Sequence, residues 1–195
     1  DVSEYLQLLK DAGLGSLPGT AAEILSDDVR SELCPDKLTS EQWLSVVSAA
    51  HDVNIPTTST IMFGHVDDDT VETRAAHLLA IRDAHLKSVY RKAKRELTDE
   101  DMTPRASSTY NYTGGFTEFV PLPFVHFEAP AFRRGETRRG PTLRECVLAH
   151  AAARLVLGSA GLVNVQASWV KMGPAMAGAL LRAGCNDLGG TLMNE

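Results

Sequence analysis

VNVQASWV, residues 163–170, alternates polar and apolar side chains: Asn164, Gln166 and Ser168 share one parity, and Val163, Val165, Ala167 and Trp169 share the other. Period-two alternation over this length reads as a β-strand with two unlike faces. Helical patterns flank the stretch, so helices are expected to cover its apolar face while the polar face looks into a separate space. Residues 55–64 repeat the pattern, with Ile61 and Phe63 outward and Thr58, Thr60 and Met62 inward. A last strand over about residues 187–193 sets Asp187, Thr191 and Glu195 against Leu188 and Leu192. A polar lining of this kind fits a binding cavity better than a packed interior.

The rest of the chain alternates in the same manner. An extended run, Leu14–Ala22, carries Pro18 and Gly19, and a further strand is expected over Phe116–Phe124. Helices are expected over Val2–Ala12, stopped by Gly13; from the capping box Thr39–Gln42, with Trp43, Val46, Val47 and Ala50 as its stripe; and over Val71 to about Leu86. Another runs from the capping box Thr142–Glu145 through Leu157, striped by Val147, Leu148, Ala151 and Leu155. A short one spans Pro174–Ala183 before Gly184. Parallel neighbours need crossover helices, so strict alternation predicts a parallel sheet in an α/β fold. A complete eightfold barrel takes roughly 250 residues. The expectation is therefore the C-terminal part, about five β-α units, of a TIM-type (β/α) barrel, with residues 1–195 as one partial barrel domain. On that expectation the chain is a fragment with about three units missing before Asp1. The charged segment 87–112, which lacks a sustained apolar stripe, is expected to be a flexible insertion on the face opposite the site.

At 195 residues, 44% hydrophobic and 23% charged, the composition is that of one globular domain. A net charge of -6 argues against a nucleic-acid binder. No apolar run approaches the ~18–20 residues that span a bilayer, so no membrane partner is expected. The three cysteines, Cys34, Cys146 and Cys185, are scattered. They suit a reducing, cytoplasmic setting, with an organelle not excluded, and provide neither a disulfide framework nor a tight metal-binding loop.

Barrel enzymes carry their chemistry at the C-terminal ends of strands. Those ends hold Thr20 and Glu23, then Gly64 and His65 ahead of Asp67, Asp68 and Asp69, then His126 and Glu128, Lys171, and finally Asn194 and Glu195. His65 and His126 with the neighbouring carboxylates leave a metal-dependent hydrolase open as an alternative, although no paired ligand motif supports it. Gly19 and Gly64 suit either close approach of a nucleoside or tight turns.

Particular strings narrow the field. GLGSLPGTAAEIL (13–25), followed by Val29-Arg30 and CPDK (34–37), TSTIMFGHV (58–66), TGGFTEFVPLPFVH (113–126), NVQASWVKMGP (164–174) and NDLGGTLMNE (186–195) closely resemble the FO synthase family of radical S-adenosylmethionine enzymes, in its tyrosine-dependent 4-hydroxyphenyl transferase half. Enzymes of the futalosine route to menaquinone share some of these strings, and Glu118 and Trp169 favour the FO synthase branch. The resemblance implies a radical-SAM barrel and a 4Fe-4S cluster on a Cys-x3-Cys-x2-Cys loop, whose cysteines would lie upstream of Asp1. That cluster reductively cleaves S-adenosyl-L-methionine to a 5'-deoxyadenosyl radical. The implied substrates are L-tyrosine, whose 4-hydroxybenzyl part is transferred, and 5-amino-6-(D-ribitylamino)uracil. A companion ring-closing subunit or fused domain then completes the deazaflavin of coenzyme F-420. By the same resemblance Thr20, Glu23, Arg30, Thr60, Met62 and Gly64 would contact the cofactor, Arg30 by pairing with its carboxylate. Glu118, His126, Gln166, Ser168 and Asn194 would face substrates. No catalytic residue is assigned. Without the cluster loop the chain by itself is expected to be inactive.

Overall fold

The computed structural model describes residues 1–98 and 115–190. In chain order it contains α1 (Val2–Asp11), α2 (Asp27–Leu33), α3 (Ser40–Asp52), β1 (Thr57–Phe63), α4 (Val71–Thr98), β2 (Phe116–Pro123), α5 (Pro130–Arg133), α6 (Leu143–Gly158), β3 (Gln166–Ala167), α7 (Trp169–Arg182) and β4 (Asp187–Leu188). No helix among the described residues is long and apolar enough to cross a membrane.

Every strand contact is parallel and joins elements that follow one another in the chain. Leu17 bridges to Thr57, β1 pairs with β2 from Thr57–Phe116 to Phe63–Pro123, Phe119 bridges to Val165, and β3 pairs with β4. The parallel α/β arrangement is as expected. The ladders among the described residues are two-stranded, so the structure shows small parallel sheets and not a closed barrel. The run 14–22 contributes a single bridge because Pro18 has no N–H to donate and Gly19 lies flat on β1.

Strand parity sorts the two faces. Ile61, Phe63, Phe119, Val165 and Ala167 are buried and join one core with Leu78 and Ile81 of α4, Ala153 and Leu157 of α6, and Leu180 of α7. On the opposite parity Thr58, Met62, Glu118, Val120, Leu122 and Gln166 stay half-buried. Both expected capping boxes are present, at Thr39–Gln42 and Thr142–Glu145.

Four expectations are corrected. The buried stripe of α6 is Cys146, His150, Ala153 and Leu157, while Leu148 and Leu155 are exposed. That helix is apolar nearly all round, so hydrophobicity alone does not fix its phase. α4 continues to Thr98, which makes residues 87–98 helical; residues 99–112 of the expected insertion lie outside the described residues. The strand expected over 163–170 is reduced to Gln166–Ala167, since Trp169 and Val170 already belong to α7, whose two pieces meet at Gly173 (φ 78°, ψ 160°) before Pro174. Finally, α2 was not foreseen, because a seven-residue helix burying only Val29 and Arg30 carries little periodic signal.

Five histidines are buried between helices and sheet: His51, His65, His77, His85 and His150. His51 sits between the Ser88 and Thr57 hydroxyls at 2.8 Å each, His77 Nδ1 accepts from the Leu25 N–H, and His85 Nδ1 accepts from the Phe116 N–H. Burial lowers all five, His51 to about 4 and His77 to about 3. The unfolded chain therefore takes up protons first as pH falls. The stability held by the neutral imidazoles is complete above about pH 6.5 and is lost as pH falls, for His51 and His77 at up to about 1 kcal/mol per pH unit down to their folded values. Denaturant unfolding at pH 7.5 and 5.5 should show a clear loss at the lower pH. An unchanged or higher midpoint there would contradict this.

Candidate functional site

The C-terminal end of β1 is built around a strained turn. Gly19 N–H donates to Thr58 Oγ1 and Thr60 Oγ1 donates to Gly19 C=O, both at 2.8 Å. A Cβ on Gly19 would lie 1.9 Å from the Thr58 carbonyl oxygen, so this glycine is required for backbone-on-backbone packing. Thr20 is exposed, and its carbonyl accepts from Trp43 Nε1 at 3.0 Å. Ala21 and Glu23 then adopt left-handed φ values of 62° and 43°, unusual for residues with a Cβ. The Glu23 carbonyl accepts from Met62 N–H at 2.7 Å, which brings its carboxylate, ion-paired with Lys37, to the strand end.

Arg30 stands behind this turn. Its buried guanidinium donates to the carbonyls of Ala21, Ala22, Ile24 and Leu38, with Nε 2.9 Å from Leu38 O. It is not presented as a partner for a ligand carboxylate, contrary to expectation; it holds the backbone that carries Glu23. Gly64 (φ 87°) donates its N–H to the Asp69 carboxylate, and a Cβ there would meet Pro141 at 2.3 Å. Both glycines that could have served close ligand approach thus serve backbone packing.

A charged network missed by the sequence reading locks the rim. The Asp69 side chain is fully buried against Arg74 (Nη2 to Oδ2, 2.9 Å), Arg74 reaches Glu145 at 3.1 Å, and Arg138 reaches Glu145 at 2.6 Å. The Arg138 guanidinium, followed by the capping Thr142 groups and Arg74, holds Glu145 well below the usual carboxylate range. Glu145 was legible only as a capping residue, and nothing in its spacing points to Asp69.

Among the described residues no group of three or more His, Cys, Asp or Glu side chains is placed to hold a metal ion, so the hydrolase alternative gains no site. His65 is buried, with Nε2 on the Met62 carbonyl at 3.0 Å and Nδ1 accepting from Val66 N–H at 2.9 Å. His126 stacks on Phe127 and meets Phe132 edge-on, at centroid distances of 4.3 and 4.6 Å.

The polar parity carries a second group. Gln166 Nε2 donates to Glu118 Oε1 at 3.0 Å across β2 and β3, and Asp187 lies opposite Gln166 on β4. Burial, then a hydrogen bond with Asp187, pushes the Glu118 carboxyl up to about 7. Ser168, on the same parity, is the N-cap of α7, and Trp169 Nε1 donates to the Gly189 carbonyl at 2.6 Å. Asn194 lies outside the described residues. The structure thus sets Glu23, Met62 and Gly64 at the end of β1, with Thr60 joined to Gly19 in mid-strand and Thr20 exposed beside it, and Glu118, Gln166 and Asp187 on the inner face. Asp187 was noticed for its parity but not chosen as a site residue. Replacing Arg30 by Met should cost about 3 kcal/mol, because several buried carbonyls lose their donor. Denaturant unfolding checks this, and a loss below about 1 kcal/mol would contradict the assigned role.

Comparison with known proteins places this geometry. Residues 113–195 match the family model described as the CofH/MqnC C-terminal region. The 5-amino-6-(D-ribitylamino)uracil–L-tyrosine 4-hydroxyphenyl transferase of Methanopyrus kandleri is 45% identical over 197 residues, covering 100% of this chain and 45% of that protein. The same-named protein of Methanothermobacter thermautotrophicus is 45% identical, covering 100% of the chain and 45% of its own length. The FO synthase of Nocardia farcinica is 44% identical over 194 residues, 100% of the chain and 19% of that protein. The chain spans about half the length of the transferases it matches, and about a fifth of the FO synthase. Along all of its residues, the chain is similar to the tyrosine 4-hydroxyphenyl transferases and FO synthases.

Proposed function

We propose that this chain forms the cofactor and substrate cradle of an enzyme that transfers the 4-hydroxybenzyl part of L-tyrosine to 5-amino-6-(D-ribitylamino)uracil, within a (β/α) barrel completed by the remainder of a protein of the relatives' length. The observation that carries this is the inner parity shared by successive parallel strands, which bears Thr58, Thr60, Glu118, Gln166 and Asp187, in a chain similar along its whole length to proteins bearing that name. The names of these relatives favour this reading over a futalosine-route enzyme.

The described residues do not fit an iron–sulfur cluster: Cys146 and Cys185 are buried thiols pushed up to about 11 by burial, and Cys34 stands apart at the end of α2. No step is assigned to a cluster here. They do fit the nucleoside part of S-adenosyl-L-methionine, since the strained turn holds a carboxylate, suited to a ribose diol, beside the backbone of Met62 and Gly64. When bound, that cofactor would supply the hydrogen-abstracting radical. Glu23 would hold the ribose, Thr60 and the Asp69 network would keep the turn rigid, and Met62, Val120 and Leu122 would give the inner face apolar walls that exclude water. A partner that closes the deazaflavin ring fits this scheme as a separate subunit or a fused domain.

Glu23→Gln in the full-length protein, purified without oxygen, should lower both 5'-deoxyadenosine release and product yield by about a hundredfold, the scale of losing a charge-assisted ligand contact. Normal values of both would sink the assignment.

A further inference from the structure

Glu118 lies five residues, about 16 Å, before the end of β2, whereas Gln166 and Asp187 each lie one residue before the ends of the short strands β3 and β4. Gln166 and Asp187 join it from the next two parallel strands, with the Gln166 amide 3.0 Å from the Glu118 carboxyl. Above them on the same parity stand Thr60, Met62, Val120, Leu122 and Ser168. The inner face therefore has mostly apolar walls and a polar floor. The charged group acting on Glu118 is the Asp187 carboxyl of β4; β1 and β3 present Thr58 and Gln166, which carry no charge.

We infer that the Glu118–Gln166–Asp187 floor binds the ribityl chain of the aminouracil substrate, leaving its ring between the apolar walls near the rim. This rests on the transferase reading above. Three features point to the polyol over the uracil ring and the tyrosine carboxylate. On β2 the Glu118 carboxyl lies well below the strand end, and an extended five-carbon chain carries the ring about 6 Å back toward it. Each hydroxyl both donates and accepts, which matches an amide beside a carboxyl whose proton is held close to neutrality. Among the described residues no cation stands between the two carboxyl groups, which would repel the tyrosine carboxylate.

The test compares equilibrium binding of 5-amino-6-(D-ribitylamino)uracil and of 5,6-diaminouracil, which lacks the chain, to the full-length protein by calorimetry. Wild type should bind the ribityl compound at least about tenfold more tightly, the scale of one or two hydrogen bonds to an ionisable group. Glu118→Leu should remove that preference while leaving 5,6-diaminouracil affinity within about twofold, and Glu118→Gln should restore part of it. Asp187→Asn gives an independent second variant with the same expected direction. Equal wild-type affinity for the two compounds overturns the inference, as does an equal loss for both compounds in the variants. Binding needs no turnover, so the two readings fail separately: absence of tyrosine transfer by the wild-type protein overturns the transferase reading, whereas the floor is judged by these affinities.

Discussion

Parallel pairing of β1 with β2 places Thr58 opposite Glu118 and Met62 opposite Leu122, and with the period-two pleat this leaves each strand one side packed under the helices and one inner side, polar at Thr58, Thr60 and Glu118 and apolar at Met62, Val120 and Leu122. A shift of one residue in either strand would turn Ile61, Phe63 and Phe119 away from the helices and bury Thr60 and Glu118 under them. The register is held from both ends. At the start, the Thr57 hydroxyl meets His51 and the Phe116 N–H meets His85; at the finish, the Phe124 N–H donates to the Phe63 carbonyl at 2.9 Å. Helix packing, the strained turn at Glu23 and the polar floor at Glu118 all depend on this choice of face.

Polar groups do much of the fastening in this fold. Arg30 gathers four carbonyls, Asp69 binds Arg74 out of solvent, and buried neutral histidines tie α3 and α4 to the strands. Buried polar groups hold a structure only when their partners are placed. The rim turn that carries Glu23 is therefore rigid because Arg30 and β1 hold its left-handed residues from two sides.

Much of the fold was legible because it depends on short-range pattern. The outward set Ile61, Phe63, Val165 and Ala167 follows from alternation alone, and both capping boxes follow from four-residue motifs. What escaped depends on partners far apart in the chain. The phase of α6 is decided by what it meets on the sheet, and a stripe through Leu148 and Leu155 looks as good in sequence as the one through Cys146 and Leu157. Arg30 reads as a ligand-binding cation until its acceptors at residues 21–24 and 38 are seen, and His65 reads as a metal ligand until both ring nitrogens prove engaged by its own turn. Of the site, Glu23, Glu118 and Gln166 were visible as polar residues on inward or strand-end positions. Asp187 gains its place only from pairing with Gln166, and Asp69 only from the Arg74 contact.

The central claim is that ligands occupy the polar parity of the sheet and not its helical side, where α4 and α6 leave an apolar groove of about 320 Å³ lined by Leu78, Leu79, Leu148 and Val156. A crystal structure of the full-length protein, grown without oxygen with S-adenosyl-L-methionine and 5-amino-6-(D-ribitylamino)uracil, tests it directly. Density for the nucleoside beside Glu23 and for the aminouracil above Glu118 and Gln166 is the expected result. Either ligand seated in the α4–α6 groove, or an inner face filled by protein side chains, would contradict the claim.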